Sequence, residues 1–451
     1  MARRAQYRPL QVLLNNRLVG FLRKFPSNAI EFQYDVSWLE RPNSFPISLS
    51  LPLREDAYRG EVVSAVFDNL LPDSPHLRRL VAEKTGARSA DAYGLLQAIG
   101  RDCVGALQFL DDEDDHSLEH KIEGEVVDDN QIEAILNNLA LAPLGLGRDS
   151  DFRISVAGAQ EKTALLQYQG QWLKPFGTTP TTHIFKTQIG TLPNGIDLTN
   201  SVENEFYCMS LFKAFGLLVA NVEMQIFGQT KALVIERFDR VWRENAQNKR
   251  GGEGRRGERL LRLPQEDMCQ ALSCPPSLKY QADGGPGIVQ VLNLLKAGDD
   301  PQSDQTRFMI AQILFWMIGA TDGHAKNFSI FMLPGGGFKM TPFYDILTVL
   351  PNLAQKEINR RQMKLAMSVG QNKHYLCHEI QPRHFMQSAT KAGIAKNVVR
   401  DAFEYIVAHF DQAFENVVQV LPDDFPFSLH ELVKASADEK RKLIEQYCQE
   451  L

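Results

Sequence analysis

The residues at positions 321–327, with the sequence TDGHAKN, constrain the fold of this chain more than any other stretch. An apolar run over residues 309–318 precedes them and predicts a buried helix that ends at a turn. Residues 328–340 follow and predict a β-hairpin whose turn is a run of three glycines. Asp322 and Asn327 are therefore expected on a polar loop held between a buried helix and a hairpin.

A second aspartate, Asp345, lies just beyond this hairpin, where the chain can fold back beside the loop. One carboxylate of such a group can act as a general base, while an amide and a second carboxylate are hard oxygen ligands suited to Mg²⁺. The spacing of Asp322 and Asn327 is that of the catalytic loop of protein kinases, and Asp345 stands where these enzymes place a metal-binding aspartate. The pattern predicts phosphoryl transfer, provided that the chain supplies the other parts of a kinase.

Composition sets the outer bounds of the interpretation. The 451 residues are enough for two or three domains, and a hydrophobic content of 44% is ordinary for a globular protein. The formal net charge of -6 argues against a protein that coats nucleic acid by bulk electrostatics. The six scattered cysteines have no convincing zinc spacing, and no apolar run approaches the length of about 20 residues that crosses a membrane. We expect a cytoplasmic protein without membrane contact.

The parts of an ATP-binding lobe occur in order over residues 146–240. A strand at residues 153–156 is expected to enter a turn of small residues, and a second strand returns at residues 163–168. Backbone N–H groups in such a turn can hold phosphate oxygens. A later strand ends in Lys186, which can neutralise phosphates, and Glu205 on the next predicted helix can hold Lys186 in place.

A hairpin of strands at residues 222–227 and 232–235 leads to residues 236–238, the expected hinge whose backbone would read an adenine edge. Each part alone is weak evidence, because a lysine at a strand end is usually a solvated edge residue. It is the order of the parts along the chain that predicts an ATP-binding lobe. The sequence GAQEKT at residues 158–163 is not a Walker P-loop, since that motif needs glycine before the lysine and this chain has Glu161 there.

The remaining segments complete an α+β, protein-kinase-like fold of two lobes behind a mixed α/β N-terminal domain. The acidic run at residues 111–115 and the glycine–arginine stretch at residues 249–257 predict solvated loops, and we find no function for the latter. The clearest amphipathic helices are predicted at residues 398–421 and 429–451. The expected divisions are a domain at 1–145, an ATP-binding lobe at 146–240 and a mainly helical lobe at 241–451 that carries the catalytic loop.

Several longer motifs resemble those of the HipA family of serine/threonine kinase toxins, and they extend over nearly the whole chain. These motifs are residues 67–74, 100–106, 154–162, 263–267, 319–327 and 341–346. The resemblance implies that Asp322 is the catalytic base and that Asn327 and Asp345 are the Mg²⁺ ligands. It implies that ATP contacts Val156, Ala157, Gly158 and Ala159 of the turn, Lys186, the backbones of Glu236 and Phe238, and the vicinity of His324.

The resemblance also implies a control site and partners. Ser155 matches the serine that such kinases autophosphorylate, and a phosphate there would add nearly two negative charges where the nucleotide phosphates bind. Arg383 falls near a DNA-contacting region of the family, and His324 is expected to bridge the catalytic loop rather than to transfer protons. Members of the family are neutralised by a HipB-type helix-turn-helix antitoxin in a complex on operator DNA.

The function that follows from the resemblance is a Mg-ATP-dependent serine/threonine protein kinase that acts as a toxin. Its expected substrate is an aminoacyl-tRNA synthetase, glutamyl-tRNA synthetase in the best-known case, and its phosphorylation would inhibit translation and promote persistence. Two alternatives are open at this point. One is a catalytically silent corepressor that keeps the kinase fold and acts only through antitoxin and operator DNA, and the other is a small-molecule kinase with the same active-site parts.

Overall fold

The computed structural model describes residues 7–111, 122–146, 152–158, 160–244 and 258–450. The acidic run after Asp111, the glycine–arginine stretch at residues 249–257 and Ala159 lie outside the described residues. Within the described part of the chain, no helix is long and apolar enough to cross a membrane.

The first sheet has five antiparallel strands in the order β4-β3-β2-β1-β5. Its first hairpin turns at Asn15 and Asn16, whose φ values of 46° and 62° are those that a tight hairpin turn of type I′ requires. Four helices accompany the sheet. The elements are β1 (Leu10–Leu14), β2 (Arg17–Lys24), β3 (Ile30–Tyr34), α1 (Val36–Leu39), β4 (Tyr58–Arg59), α2 (Glu61–Asp68), α3 (Pro75–Thr85), α4 (Ala92–Ile99) and β5 (Leu107–Leu110).

The second sheet has six antiparallel strands in the order β12-β13-β9-β7-β8-β6. A long helix, α6, leads from its middle strands to its edge hairpin. The elements are β6 (Gly124–Val127), α5 (Asp129–Asn137), β7 (Lys162–Tyr168), β8 (Gln171–Pro175), β9 (His183–Thr187), β10 (Gly190–Thr191), β11 (Asp197–Leu198), α6 (Ser201–Ala214), β12 (Val222–Phe227) and β13 (Thr230–Glu236).

The predicted domain boundary at residue 145 stays a proposal, but the strand pairing favours a boundary before residue 124. The strand β6 pairs with β8, and Ile132 and Leu136 of α5 pack in one cluster with Leu165 and Phe185 of the second sheet. Residues 124–137 therefore add a strand and a helix to the ATP-binding lobe.

The prediction of a strand at residues 153–156 is wrong. This segment has no regular secondary structure, and it does not form a hairpin with β7. The reason is tertiary, because the N–H of Ser155 donates to the carbonyl of Asp102 at 2.9 Å instead of joining the ladder.

The C-terminal half is mainly helical and packs around α9, which is buried along most of its length. Gly319 ends α9 with a φ of 64°, the left-handed conformation that glycine adopts without strain. The elements are β14 (Arg240–Glu244), β15 (Glu258–Arg262), β16 (Gln265–Asp267), α7 (Met268–Ala271), α8 (Ile288–Leu295), α9 (Pro301–Ile318), β17 (Ser329–Met332), β18 (Phe338–Met340), α10 (Leu350–Ala354), β19 (Lys364–Val369), β20 (His374–Leu376), α11 (Pro382–Lys391), α12 (Lys396–Val418) and α13 (Phe427–Gln449).

A buried ionic cluster joins the first domain to the hinge. The carboxylate of Asp102 contacts Arg237, Arg240 and Arg262 at distances of 3.3, 2.8 and 3.1 Å. Burial opposes ionisation of Asp102, but the three guanidinium groups outweigh it and hold its pKa well below the usual range. Asp239 receives two further bonds from Arg237, so each of the three guanidinium groups contacts at least one of the two carboxylates. The cluster thus connects Asp102 of the first domain to residues 237–262 by buried contacts.

Candidate active site

The six-stranded sheet and the helical lobe enclose a cavity of about 710 Å³. Predicted site residues from both lobes meet there, although they are far apart in sequence. Those that line the cavity are Val156, Ala157, Gly158, Lys186, Glu205, Glu236, Phe238, Asp322, His324, Asn327 and Asp345. Ser155 and Arg383 are outside this lining.

Lys186 lies at the centre of the charged groups in the cavity. Its Nζ donates to Glu205 Oε1 at 2.8 Å and to Asp345 Oδ1 at 2.6 Å. Burial acts to lower the pKa of Lys186, but the two carboxylates outweigh it, and the pKa is raised. Lys186 is therefore a fixed cation, and the predicted pairing with Glu205 is present as a direct ion pair.

The two carboxylates that contact Lys186 differ in environment. Burial raises the pKa of Glu205 against the opposing pull of Lys186. For Asp345, burial is outweighed by Lys186 and Lys162, which hold its pKa well below the usual range. The side chain of Asp345 is 38% exposed because it faces the cavity, whereas that of Glu205 is only 2% exposed. Asp345 is the ionised carboxylate that a ligand in the cavity would meet.

The catalytic loop is held together by the amide of Asn327. Its Nδ2 donates to the backbone carbonyl of Asp322 at 3.0 Å and to that of Asp345 at 3.3 Å. These bonds use the nitrogen of the amide and orient it. Asp345 itself has a φ of 62°, a conformation that is unusual outside glycine and that clusters at functional sites. The Asp322 side chain is exposed to the cavity.

These residues fit a Mg²⁺ ion bound through oxygen. Asn327 and Asp345 both line the cavity, and the bond from Asn327 Nδ2 to the carbonyl of Asp345 keeps the amide beside that residue. The described residues contain no group of three or more His, Cys, Asp or Glu side chains that would form a complete metal cage. Mg²⁺ commonly keeps several waters and is shared with the phosphates of a substrate.

The turn before β7 is closed by a second lysine. Lys162 Nζ donates to the carbonyl of Ala157 at 2.9 Å, and Lys162 lies opposite Lys186 in the pairing of β7 with β9. Burial, followed by repulsion from Lys186, lowers the pKa of Lys162 to about 8. Gly158 has a φ of 110°, a backbone conformation that favours glycine at this point of the turn. Two cations thus face the space beside the turn.

Ser155 is fully buried against the first domain. Its hydroxyl donates to the carbonyl of Leu70 at 2.7 Å, and its N–H donates to that of Asp102 at 2.9 Å. The side chain is 0% exposed, so the hydroxyl points away from solvent. Any reaction at Ser155 requires this segment to leave its place.

The remaining predicted residues differ in their surroundings. The N–H of Glu236 donates to the carbonyl of Asn221 at 2.9 Å, so this N–H is already engaged within the protein. Phe238 packs its ring against Phe331 and Tyr344. Arg383 is exposed in the first turn of α11, outside the cavity lining.

His324 has the surroundings of a structural residue. It is 5% exposed, its N–H donates to the carbonyl of Asp322 at 2.8 Å, and its ring meets that of Tyr280 edge-on at 5.0 Å. Burial lowers its pKa, which keeps the imidazole neutral near pH 7. A neutral, enclosed imidazole favours the bridging role over proton transfer.

Sequence reasoning missed several polar residues of the site. The hydroxyl of Tyr280 donates to Asp322 Oδ1 at 2.6 Å. Lys326, between the two predicted loop residues, donates to Asn69 of the first domain at 2.8 Å. Lys162 was visible only as the lysine of a rejected P-loop. The contact of Tyr280 joins segments 42 residues apart and that of Lys326 joins segments 257 residues apart, and no local pattern reveals either.

The two lobes with a charged cleft, the Lys186–Glu205 pair and the loop of Asp322 and Asn327 define a protein of the kinase class. Comparison with known proteins gives the family. The family model described as the HipA-like C-terminal domain matches residues 154–414, and that of the HipA N-terminal domain matches residues 10–110. The chain belongs to the HipA family, which confirms the prediction of the family and of a kinase.

Relatives match over nearly the full length. The "Putative kinase Y4mE" of Sinorhizobium fredii is 33% identical over 427 residues, covering 92% of each chain. The serine/threonine-protein kinase toxin HipA of Shewanella oneidensis is 27% identical over 446 residues, covering 93% of each. The structure is also similar to that of HipA from Shewanella oneidensis in complex with HipB and its operator DNA, with a TM-score of 0.78 and 25% identity over 98% of this chain and 99% of that one.

Proposed function

We propose that this protein is a Mg-ATP-dependent serine/threonine protein kinase that acts as the toxin of a toxin–antitoxin system. One observation carries the proposal. Lys186 is buried between Glu205 and Asp345, within the cleft that also contains Asp322 and Asn327. A silent corepressor would have no need of a complete set of phosphate, metal and base groups.

In the proposed reaction, ATP lies in the cavity with its phosphates against Lys186, Lys162 and the turn of Val156, Ala157 and Gly158. Asn327 Oδ1 and the Asp345 carboxylate would hold Mg²⁺, which supplies charge neutralisation for the phosphates. The acceptor hydroxyl attacks the γ-phosphorus, and the bond from that phosphorus to the β,γ-bridging oxygen breaks. The hydroxyl proton passes to the Asp322 carboxylate, and ADP is the leaving group.

The adenine is proposed to lie at the hinge, between the backbones of Glu236 and Phe238. Ala159 belongs to the same proposed phosphate turn, and Glu205 keeps Lys186 in place by the bond described above. The proposed protein substrate is an aminoacyl-tRNA synthetase, with glutamyl-tRNA synthetase as the first candidate. The proposed partners are a HipB-type antitoxin and operator DNA, with Arg383 as a DNA contact. The structure of the Shewanella oneidensis HipA with HipB and operator DNA supports these partners.

The direct test is incubation of the purified protein with labelled ATP, Mg²⁺ and cell extract, followed by mapping of the phosphorylated sites. We expect label on Ser155 and on one dominant protein of the extract. Chelation of Mg²⁺ should remove both signals. Tight ATP binding without any transfer of label would contradict the proposal and favour the silent corepressor, and label in small molecules alone would favour a small-molecule kinase.

Ser155→Ala is expected to remove self-inactivation. The wild-type protein should lose activity during incubation with ATP as Ser155 becomes phosphorylated, whereas the variant should keep a constant rate. The substitution removes one buried hydrogen bond to Leu70, at a cost of about 1 kcal/mol of stability. Time courses of substrate phosphorylation, with mass spectrometry of the residue-155 peptide, test this. A phosphate at another residue, with unchanged decay in the variant, would contradict the assignment.

The affinity for ATP is expected to fall as pH rises through the titration of Lys162. The pKa of Lys162 is lowered to about 8, so the side chain is charged below that pH and neutral above it. Bound phosphates favour the charged form, and its loss should weaken ATP binding about tenfold. Lys162→Arg is the matched variant, because arginine stays charged throughout this range. Calorimetric titration between about pH 7 and pH 10 should give a steep profile for the wild type and a flat one for the variant, and equal slopes would contradict the assignment.

A further inference from the structure

We infer that residues 69–73, with the sequence NLLPD and called here the bridging segment, couple the phosphate turn to the catalytic loop. Asn69 and Asp73 are then positioning residues of the active site, although they belong to the N-terminal domain. The inference rests on the proposed kinase function and adds to it a path by which the state of Ser155 reaches the catalytic loop. The bridging segment follows α2 directly, and both Asn69 and Asp73 line the cavity.

The first end of the path is the catalytic loop. Lys326, which precedes the proposed metal ligand Asn327, donates to the side-chain oxygen of Asn69 at 2.8 Å and to its carbonyl at 3.0 Å. The ammonium group also lies 3.2 Å from Asp267 and 3.6 Å from Asp73. Lys326 is 7% exposed, and these groups offset the free-energy cost of burying its ammonium charge. The bridging segment therefore helps to set where the catalytic loop lies.

A second connection runs through Asp73. Its carboxylate pairs with Lys279 at 2.8 Å. The carbonyl of Lys279 accepts from the N–H of Ala325 in the catalytic loop at 3.3 Å, and the next residue, Tyr280, donates to Asp322 at 2.6 Å. A displacement of Asp73 would thus change the positions of both Lys326 and the proposed base, Asp322.

The other end of the path is the phosphate turn. The N–H of Asp73 donates to the carbonyl of Gly158 at 3.2 Å, and Pro72 forms a parallel bridge with Gly158. The carbonyl of Leu70 accepts the hydroxyl of Ser155 at 2.7 Å. One short segment thus contacts the turn at three points while it contacts the catalytic loop through Asn69 and Asp73.

Phosphorylation of Ser155 would break this arrangement from the turn side. A phosphate ester has no hydroxyl proton to donate to Leu70, and its charged oxygens repel that carbonyl. When the turn leaves, Asp73 loses its bond to Gly158 and the bridging segment loses its support on that side. The segment then holds Lys326 and Lys279 less firmly, so modification of Ser155 disorders the catalytic loop as well as the nucleotide site.

The test uses the full-length protein and measures two peptides by hydrogen exchange, the phosphate turn at residues 152–162 and the catalytic loop at residues 319–328. Asp73→Asn removes the charge with almost no change in shape. The matched control is Asp91→Asn, which removes a carboxylate paired with Lys24 at 2.5 Å in the same domain and outside the cavity lining. We expect Asp73→Asn to speed exchange in both peptides, and Asp91→Asn to leave both unchanged.

The value of kcat at saturating ATP distinguishes a positioning role of Asp73 from a role in stability alone. For Asp73→Asn we expect kcat to fall between about tenfold and a hundredfold at saturating ATP, because a displaced catalytic loop misplaces the reacting groups. The melting temperature should fall further than that of Asp91→Asn, because the Asp73 side chain is 11% exposed and that of Asp91 is 44% exposed, so kcat is compared at a temperature at which both variants are fully folded. Faster exchange in the turn alone, or equal kinetics for the two variants, would overturn the inference.

Ser155→Glu is the second variant and keeps the test decisive if Asp73→Asn fails to fold. We expect it to speed exchange in the catalytic-loop peptide, and unchanged exchange there would overturn the inference. Failure of the proposed function is distinct, because it would appear as absence of phosphoryl transfer by the wild-type protein.

Discussion

Asp322→Asn is expected to lower the rate of phosphoryl transfer about 10²–10⁴-fold while the affinity for ATP changes little. The amide has the shape of the carboxylate but cannot accept the proton of the acceptor hydroxyl. It keeps the backbone of the loop, where the carbonyl of residue 322 accepts from Asn327 and His324. The loss should therefore appear in kcat rather than in ATP binding.

The measurement is single-turnover transfer of labelled phosphate, with nucleotide binding followed separately by calorimetry. Autophosphorylation of Ser155 should disappear with substrate phosphorylation, since both use the same base. Asp423→Asn, at an exposed aspartate between α12 and α13, is the matched control and should behave as wild type. An Asp322→Asn protein that still labels Ser155 at the normal rate would contradict the assignment of the base.

The hydroxyl of Tyr280 occupies part of the space beside the Asp322 carboxylate. One oxygen of Asp322 already accepts the hydroxyl of Tyr280 at 2.6 Å. An acceptor serine or threonine must approach the other oxygen or displace this hydroxyl. If Asp322 is the base as proposed, Tyr280 lies where the acceptor would approach, and the sequence contained no sign of it because the contact joins segments 42 residues apart.

Local pattern predicted the elements whose residues are neighbours in sequence. The helix that carries Glu205, the hairpin of β17 and β18, and the strand that ends near Lys186 are all present, because apolar periodicity and glycine turns determine them. The pairing of Lys186 with Glu205 followed from their order in the chain and is a bond of 2.8 Å.

Tertiary contacts determine what the pattern could not predict. Residues 153–156 have the composition of a strand, but Ser155 bonds to Asp102 and Leu70 of the first domain instead. The buried cluster around Asp102 joins arginines from three separate positions in the chain. No role was predicted for Lys326, which is buried against Asn69, 257 residues away in the chain. In each case the partner lies in another domain, beyond the reach of any periodicity.

Lys186→Met is expected to affect both catalysis and stability. Removal of the ammonium leaves the buried carboxylate of Glu205 without its partner, and breaking a buried ion pair from one side costs about 3–5 kcal/mol of unfolding free energy. Phosphoryl transfer should fall about 10²-fold or more, because a fixed cation at the phosphates is lost. Urea unfolding and steady-state kinetics measure the two effects.

The pH dependence of this loss identifies its cause. In the wild type, Lys186 holds the pKa of Asp345 below its usual range, so this stabilisation is present at neutral pH and is lost as pH falls through the folded-state pKa. In Lys186→Met, the carboxylates of Glu205 and Asp345 can become neutral by taking up protons, which removes the cost of burying their charges and the repulsion between them. The difference in unfolding free energy between wild type and variant should therefore be largest near neutral pH and should shrink in acid.

The matched control is the double variant Lys186→Met, Glu205→Gln, which removes both charges of the buried pair. Because no uncompensated charge remains at residue 205, it should be more stable than Lys186→Met alone at neutral pH, and its stability should depend less on pH. Its catalytic defect should persist, since the cation is still absent. A direct pair must show a coupling energy that neither single substitution contains. Strict additivity of the two substitutions in stability would therefore mean that Glu205 does not act through Lys186. Recovery of activity in the double variant would have the same meaning.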